Sequence, residues 1–385
     1  MESRLPDFHK LNASQQLDCL VTTGWIEKNE LSAIGQTLQS AESRRLSENV
    51  IGSLVLPLGV VTNVLVNGIP RLVPMSTEEP SVVAGCSRAA LLSRAGGGVV
   101  AAAGKRYIAA QVLVSSTLGD SRMRTLLEPL VSPFRSAMDR RHPRVAAAGG
   151  GLDEITFRTL EGGERGLGVF DIVAHPGDSM GANYVNDIAE QFSDVLSEVL
   201  SGRILGAIVS NAPGPADATA RVAIPFPALA RTGLPGEEVA LRIELLSNWA
   251  TLDKRRTVTH IKGILNGMCG VMTALYQDTR ALSCALWMAA TRTTPLDPIV
   301  RWHRDDGCLT GRFSGPIVCG VAGGTGSVVP AVGIFHRWLK VTTAGELEAV
   351  VAAVGLLQNL AALQSIAAEG ISRGHMKLHR RKLEG

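Results

Sequence analysis

A chain of 385 residues exceeds what a single hydrophobic core ordinarily supports, so two domains are expected. Its 45% hydrophobic and 19% charged residues exclude a disordered protein, and a net charge of +3 with 4% aromatics argues against a nucleic-acid partner. Six scattered cysteines without a CxxC pair exclude a disulfide scaffold or metal cluster, and no run of about 18 uninterrupted apolar residues exists to span a membrane.

With a polar start in place of a signal peptide, the expectation is a soluble cytoplasmic protein with reduced thiols. Helical spacing comes first, with Leu17, Leu20 and Val21, then Ile34, Leu38 and Ala41 on apolar faces. The apolar run from Glu48-Asn49 to Val60 predicts a buried strand. Val61–Val73 alternates about Asn67-Gly68 as a hairpin, and a helix follows through Ala84–Arg94. From Tyr107 the pattern changes. Strands at Ile108–Val114, Leu152–Phe157, Gly168–Ala174 and Leu205–Val209 alternate with helices at Arg122–Met138 and Val185–Val199. That βαββαβ order predicts a small split-βαβ sandwich inserted as a separate domain. After Asn211-Ala-Pro-Gly-Pro215 the chain returns to long helical and glycine-rich segments.

Several stretches carry residues suited to chemistry. Glu78 and Glu79 precede Pro80, which suits a first helical turn. Glu79 there reads either as a helix cap kept ionised by backbone amides or as a proton donor whose pKa is raised by burial. Asp178-Ser-Met-Gly-Ala-Asn183 opens an amphipathic helix, and its small residues let a phosphate approach the helix N-terminus. A plain cap by Asp178 explains the same residues. Gly323-Gly-Thr-Gly-Ser-Val lacks the third glycine of a Rossmann fingerprint and reads as a close-packed turn. Lys262 lies in a segment that starts a helix near Arg255, too far from Asp278 to meet it along one straight helix. The two meet only if the segment around Lys262 folds back as a loop. His375, in Arg373-Gly-His-Met-Lys-Leu-His379, reads by default as structural.

Six stretches follow one another in order: Glu48-Asn-Val-Ile-Gly52, Pro74-Met-Ser-Thr-Glu-Glu-Pro-Ser-Val-Val83, Asp178-Ser-Met-Gly-Ala-Asn183, Lys262-Gly-Ile-Leu-Asn-Gly267, Gln358-Asn-Leu-Ala361 and Glu369-Gly-Ile-Ser-Arg-Gly-His-Met376. Their order, spacing and content resemble hydroxymethylglutaryl-coenzyme A reductase, the soluble class II form of bacteria and archaea. The resemblance runs from about residue 8 to about residue 380.

The resemblance implies an α+β fold. A large, mostly helical substrate domain takes residues 1–105 and 216–370, and a small ferredoxin-like cofactor domain is inserted at 106–215. A tail, 371–385, carries the catalytic histidine. The implied reaction interconverts hydroxymethylglutaryl-coenzyme A with mevalonate and free coenzyme A, through a hemithioacetal and mevaldehyde. It uses two NAD(P)H and no metal, in the mevalonate route to isoprenoids. Glu79, Lys262, Asp278 and His375 are the implied catalytic residues. Lys262 stabilises the oxyanion and Asp278 pairs with it and couples to Glu79. Glu79 protonates the aldehyde oxygen, and His375 protonates the departing thiolate.

Ser81, Arg256, Asn266 and Gln358 are the implied substrate contacts, with the Arg256 guanidinium on the free carboxylate. Asp178, Met180, Gly181, Ala182, Asn183, Asn211 and Glu154 are the implied cofactor contacts. An acid at the Glu154 position accepts from the adenosine ribose and repels a 2′-phosphate, so NADH is favoured over NADPH. Asp153 lies beside it, and Arg158 is close enough in sequence to receive a phosphate. The family's site lies at a subunit boundary, which implies a homodimer or an oligomer of dimers. The apolar run after Glu48-Asn49 and the helix after Glu79 would contribute to that interface.

The sequence departs from the family's pattern in places. Ile261 stands where asparagine is common, and Cys269 where an acid is frequent. Soluble bacterial members continue into a helical flap, whereas this chain ends ten residues after His375, so the flap is expected to be absent. The competing expectation is a homologue of the same fold that binds acyl-coenzyme A or dinucleotide with little turnover.

Overall fold

The computed structural model describes residues 2–31, 46, 54–115, 118–161, 166–200, 203–214, 217–231, 233–323 and 328–368. The elements begin with α1 (Ala13–Thr22), β1 (Leu58–Val66), β2 (Ile69–Ser76), α2 (Val82–Ser93) and β3 (Val100–Ala102). Next come β4 (Ile108–Ser115), α3 (Asp120–Arg141), α4 (Pro143–Ala147), β5 (Gly151–Thr159), β6 (Leu167–His175), α5 (Ala182–Val199) and β7 (Arg203–Ser210). The remainder is β8 (Ala218–Pro225), α6 (Phe226–Leu229), α7 (Gly236–Leu252), α8 (Lys254–Ala274), α9 (Thr279–Ala290), β9 (Val300–Asp305), β10 (Cys308–Gly315), α10 (Pro330–Leu339) and α11 (Ala344–Ala368). These make a mixed α+β chain of two units. One comprises Met1–Gly104, Asp217–Cys319 and Gly323–Gly385, the other Lys105–Ala216 with Gly320–Ala322.

In the smaller unit four antiparallel strands pair in the order β5-β6-β4-β7. Every second residue of β4 (Ile108, Ala110, Val112 and Val114) is buried, as a half-covered strand requires. Met123, Leu127, Phe134 and Met138 recur at helical spacing on α3, and Val185, Ile188, Phe192 and Leu196 on α5. These stripes and the strand residues form one core, with Phe192 tilted against Phe134 and edge-on to Phe170 at 5.2 and 5.6 Å between ring centroids. Helix α3 runs unbroken through Pro129 and Pro133, longer at both ends than its apolar spacing suggests.

The larger unit holds the β1-β2 hairpin and a four-stranded antiparallel sheet ordered β3-β8-β10-β9. Asn67 and Gly68 turn the hairpin, both with positive φ (52° and 74°), as a two-residue turn of the right twist demands. Helix α11 packs against α2, α7, α8 and the sheet, buried nearly all round. By length and composition alone it is apolar enough to cross a membrane, but most of its surface lies inside the unit. Helix α8 meets α11 closely because both carry glycines at the crossing. A Cβ at Gly267 would lie 2.9 Å from the Gln358 side chain, and one at Gly355 2.8 Å from the Met268 sulfur.

Three expectations change. The apolar run before Val60 is not a buried strand: β1 begins only at Leu58, and Leu54 and Val55 are 99% and 76% exposed in the single chain. The segment around Lys262 is the middle of one continuous helix, because α11 and β2 pack against its glycines and compensate their poor helix propensity. The cap of α2 is Ser81 and not Glu79, since Pro80 still precedes the helix. Ile34, Leu38 and Ala41, the Glu48–Gly52 stretch and the Glu369–Met376 stretch with His375 lie outside the described residues.

Candidate active site

In the larger unit, β2 ends at Ser76 and the chain turns through Thr77–Pro80 into α2. The Glu79 amide donates to Thr77 Oγ1 (3.1 Å), and the Glu79 carboxylate is exposed. Ser81 holds φ at +73°, a conformation rare for a residue with a Cβ and one that collects at functional turns. Met75 on β2 packs on Gly270 of α8, and Gly85 on α2 packs on Ala361 of α11. The Glu79–Ser81 turn is thereby fixed to the same two helices that carry Arg256, Lys262, Asn266 and Gln358.

Along α8 the residues divide by face. Lys262 and Asn266 are one turn apart, with Lys262 exposed and Asn266 half-buried. Arg256, His260 and Gly267 lie on the stripe towards α11. The Arg256 guanidinium sits 5.6 Å from the Trp249 ring, and its buried Nε has no protein partner. Gln358 is 6% exposed, and its Oε1 is likewise buried without a partner. Beside it, Asn359 Oδ1 accepts from Trp302 Nε1 (2.8 Å), which turns the Asn359 amide nitrogen towards His260 Nε2 at 3.0 Å. Burial, and then Arg256, push the His260 imidazole down to about 4, so the ring is neutral, with the Val300 carbonyl also 3.1 Å from Nε2.

Asp278 does not touch Lys262. It caps α9, its Oδ1 accepting from the amides of Arg280 (2.9 Å) and Ala281 (3.0 Å), and its carboxylate pairs with the Arg280 guanidinium (3.1 Å). Burial alone would raise its pKa, but Arg280 and the two amides together hold it below the usual carboxylate value. Among the described residues Glu79, Lys262 and Asp278 form no hydrogen bond or ion pair with one another. Ile261, in place of the common asparagine, is fully buried in α8. Cys269 lies 3.9 Å from Ser283 Oγ, and burial raises its thiol.

In the smaller unit the loop from β6 to α5 carries Asp178, Met180 and Gly181. Gly181, not Asp178, caps α5, with φ at +103°; a Cβ there would lie 2.6 Å from Pro176. The first intrahelical bond runs from Val185 N–H to the Gly181 carbonyl (2.9 Å), so the amides of Ala182, Asn183 and Tyr184 open the helix without intrahelical acceptors. The Asp178 carbonyl instead accepts from the amides of Val321 (2.9 Å) and Ala322 (3.0 Å), and a Cβ on Gly320 would collide with the Met180 amide. Sequence reasoning missed this segment. Its signal was the glycine run beginning at Gly323, four strands and five helices beyond the Asp178 loop.

Glu154 and Asp153 lie just past Gly149–Gly151, where Leu152 pairs with Ala174 and Glu154 with Val173, leaving Asp153 as a bulge. Both acids are exposed. Glu154 has no hydrogen bond or ion pair among the described residues, and Asp153 meets Lys105 at 3.7 Å. At the end of β6, burial, then Arg106 and Lys105, lower the His175 imidazole, against Asp153 and Asp178. Asn211 follows β7 and is exposed. Among the described residues no group of three or more His, Cys, Asp or Glu side chains is placed to hold a metal ion.

The model of the hydroxymethylglutaryl-coenzyme A reductase family matches residues 14–380. The chain belongs to that family. It is 34% identical over 385 residues to the 3-hydroxy-3-methylglutaryl-coenzyme A reductase of Archaeoglobus fulgidus, an alignment covering all of this chain and 87% of that reductase. A structure of the reductase of Streptococcus pneumoniae superposes with a TM-score of 0.87 at 29% identity, covering 94% of this chain and 98% of that one. A second, described as the class II reductase bound to NADPH in open conformations, gives 0.88 at 29% identity over 94% and 99% of the two chains. The reductase family is a family of oxidoreductases, and the orphaned atoms of Arg256 and Gln358 sit within its matched span.

Proposed function

We propose that the chain is a cytoplasmic enzyme that interconverts hydroxymethylglutaryl-coenzyme A with mevalonate and coenzyme A. The observation that carries this reading is the family match over residues 14–380, and it is supported by Arg256 Nε and Gln358 Oε1, on two helices packed through Gly267, which are buried with no partner among the described residues. Native proteins rarely leave such groups unsatisfied, and an acyl chain with a carboxylate and a hydroxyl supplies the missing acceptor and donor. Ser81 and Asn266 complete the substrate contacts.

A nicotinamide dinucleotide supplies hydride twice when bound. The smaller unit fits such a group: the α5 amides suit its pyrophosphate, Gly181 takes the positive φ that turns the loop into the helix beside Ala182, and Glu154, unpaired among the described residues, suits a ribose diol. Asp178, Met180, Asn183 and Asn211 border the same place. NADH is favoured over NADPH by about tenfold, because an acid at the ribose repels a 2′-phosphate. Lys262 stabilises the oxyanion as the thioester carbonyl is reduced. Asp278 is the family's implied catalytic aspartate, and its pair with Arg280, whose side chain is 89% exposed, contributes little and is readily released. Glu79 donates the proton to mevaldehyde, and His375 protonates the departing coenzyme A thiolate. The inserted βαββαβ unit acts as the ferredoxin-like cofactor domain, and two copies of the chain assemble with the site at their boundary.

The test is oxidation of NADH or NADPH by the purified chain with hydroxymethylglutaryl-coenzyme A. Steady consumption with release of free thiol is expected, and Lys262→Ala should lower turnover about a hundredfold or more. Binding of both ligands without oxidation would make the chain a non-turning-over homologue. Near-normal turnover by Lys262→Ala would remove the assignment of that lysine.

A further inference from the structure

We propose that Lys105 is the residue that receives the 2′-phosphate of NADPH, with Asp153 as its resting partner, so that this ion pair sets how far NADPH competes with NADH. The proposal rests on the reading of Glu154 and the Asp178–Asn183 loop as the two ends of a dinucleotide site. A 2′-phosphate beside Glu154 needs a cation that can be released to it, and among the described residues Arg158, Arg135 and Lys105 lie on that strand or contact it.

Arg158 lies on the same face of β5 but is captive. Its Nε donates to Asp171 Oδ2 at 2.6 Å, and Gln111 Nε2 donates to the other oxygen of that carboxylate at 2.6 Å. The sequence-based expectation that Arg158 receives the phosphate is therefore not supported by its surroundings. Arg135 is equally committed, donating from Nε to the Leu152 carbonyl (2.9 Å) and from Nη2 to the Asp153 carbonyl (2.7 Å), and so holds the bulge in shape.

Lys105 differs from both. Its Nζ lies 3.7 Å from Asp153 Oδ2, at the outer limit of an ion pair, with side chains 61% and 48% exposed. A pair of that length and exposure contributes little and is readily exchanged. The Tyr107 ring centroid lies 4.5 Å from the ammonium, and Tyr107 and Asp153 together keep Lys105 charged. Lys105 and Asp153 both act electrostatically on His175, which precedes the Asp178 loop. The bulge supplies the geometry. By inserting Asp153 it puts two consecutive acids on the exposed side, one held by Lys105 and one free for a ribose.

The experiment measures calorimetric affinities of the full-length protein for adenosine 2′,5′-bisphosphate and for adenosine 5′-monophosphate, the adenosine halves of NADPH and NADH. Lys105→Gln should weaken the bisphosphate relative to the monophosphate by about tenfold, the lower end of what a charge-assisted hydrogen bond contributes. The ratio of kcat/KM for NADPH to that for NADH should fall in parallel. Asp153→Asn should shift both ratios the other way, and it reads the same pair should Lys105→Gln fail to fold. Unchanged ratios in the folded variants, or a fall produced by Arg158→Gln instead, overturn the assignment of Lys105 while leaving the cofactor site intact. Failure of the unmodified protein to bind either nucleotide overturns the site and the proposal together.

Discussion

His260 is a histidine held neutral by its surroundings, and that makes it an acid sensor. Its pKa is pushed from an ordinary 6.5 to about 4, so between those values the unfolded chain binds a proton that the folded chain refuses. The stability it contributes is complete above 6.5 and declines as pH falls towards 4, by roughly 3 kcal/mol. Urea unfolding at about pH 7.5 and about pH 4.5 should show that decline in the native protein and less of it in His260→Gln. An identical decline in both assigns acid sensitivity elsewhere. Gln358 allows the opposite experiment. Its Oε1 has no protein partner to lose, so Gln358→Met should change unfolding free energy by less than about 1 kcal/mol. The KM for the acyl thioester should rise tenfold or more, and a large loss of stability with unchanged KM would make Gln358 structural. Residue types were legible in the sequence where their neighbours repeat a pattern. The partners of His260 were not, because Asn359 and Val300 come from α11 and β9, far along the chain.

At the level of elements, periodicity carried well where one face alone is buried. The β4 alternation, the α5 stripe and the Asn67-Gly68 hairpin appear where their patterns place them. Caps were misread, since Ser81 and Gly181 close their helices with positive φ that only tertiary packing selects, while Glu79 and Asp178 merely look like caps. A loop around Lys262 was the condition for its meeting Asp278, yet the segment stays helical, with close contact at Gly267 and Gly270 replacing lost propensity. Gly320, in a loop, is another case of close contact. Gly320→Ala would drive a methyl into the Met180 amide, costing about 1–3 kcal/mol and shifting the Asp178–Gly181 loop. The KM for the dinucleotide should rise while that for the acyl thioester holds. Parallel changes in both would mean the loop serves the whole fold.

For the whole molecule, exposed apolar surface calls for a partner. Leu54 and Val55 stand free of the single chain, and on α7 Leu245, Trp249 and Leu252 repeat on one exposed stripe that ends near Arg256. A homodimer covering them, as proposed, should sediment as such at micromolar concentration, and a fully active monomer would refute it. The mixed α+β class was legible from alternating periods, whereas which distant segments complete each unit was not, because no local pattern encodes it. Gly320–Ala322 is the case in point. Two amides from the last fifth of the chain latch the Asp178 carbonyl. During synthesis from the N-terminus the four-stranded sheet can therefore form on the ribosome well before its loop is latched. The capacity to hold a nucleotide is then acquired late, after most of the chain has emerged, and a nascent chain halted before Cys319 carries the sandwich without it.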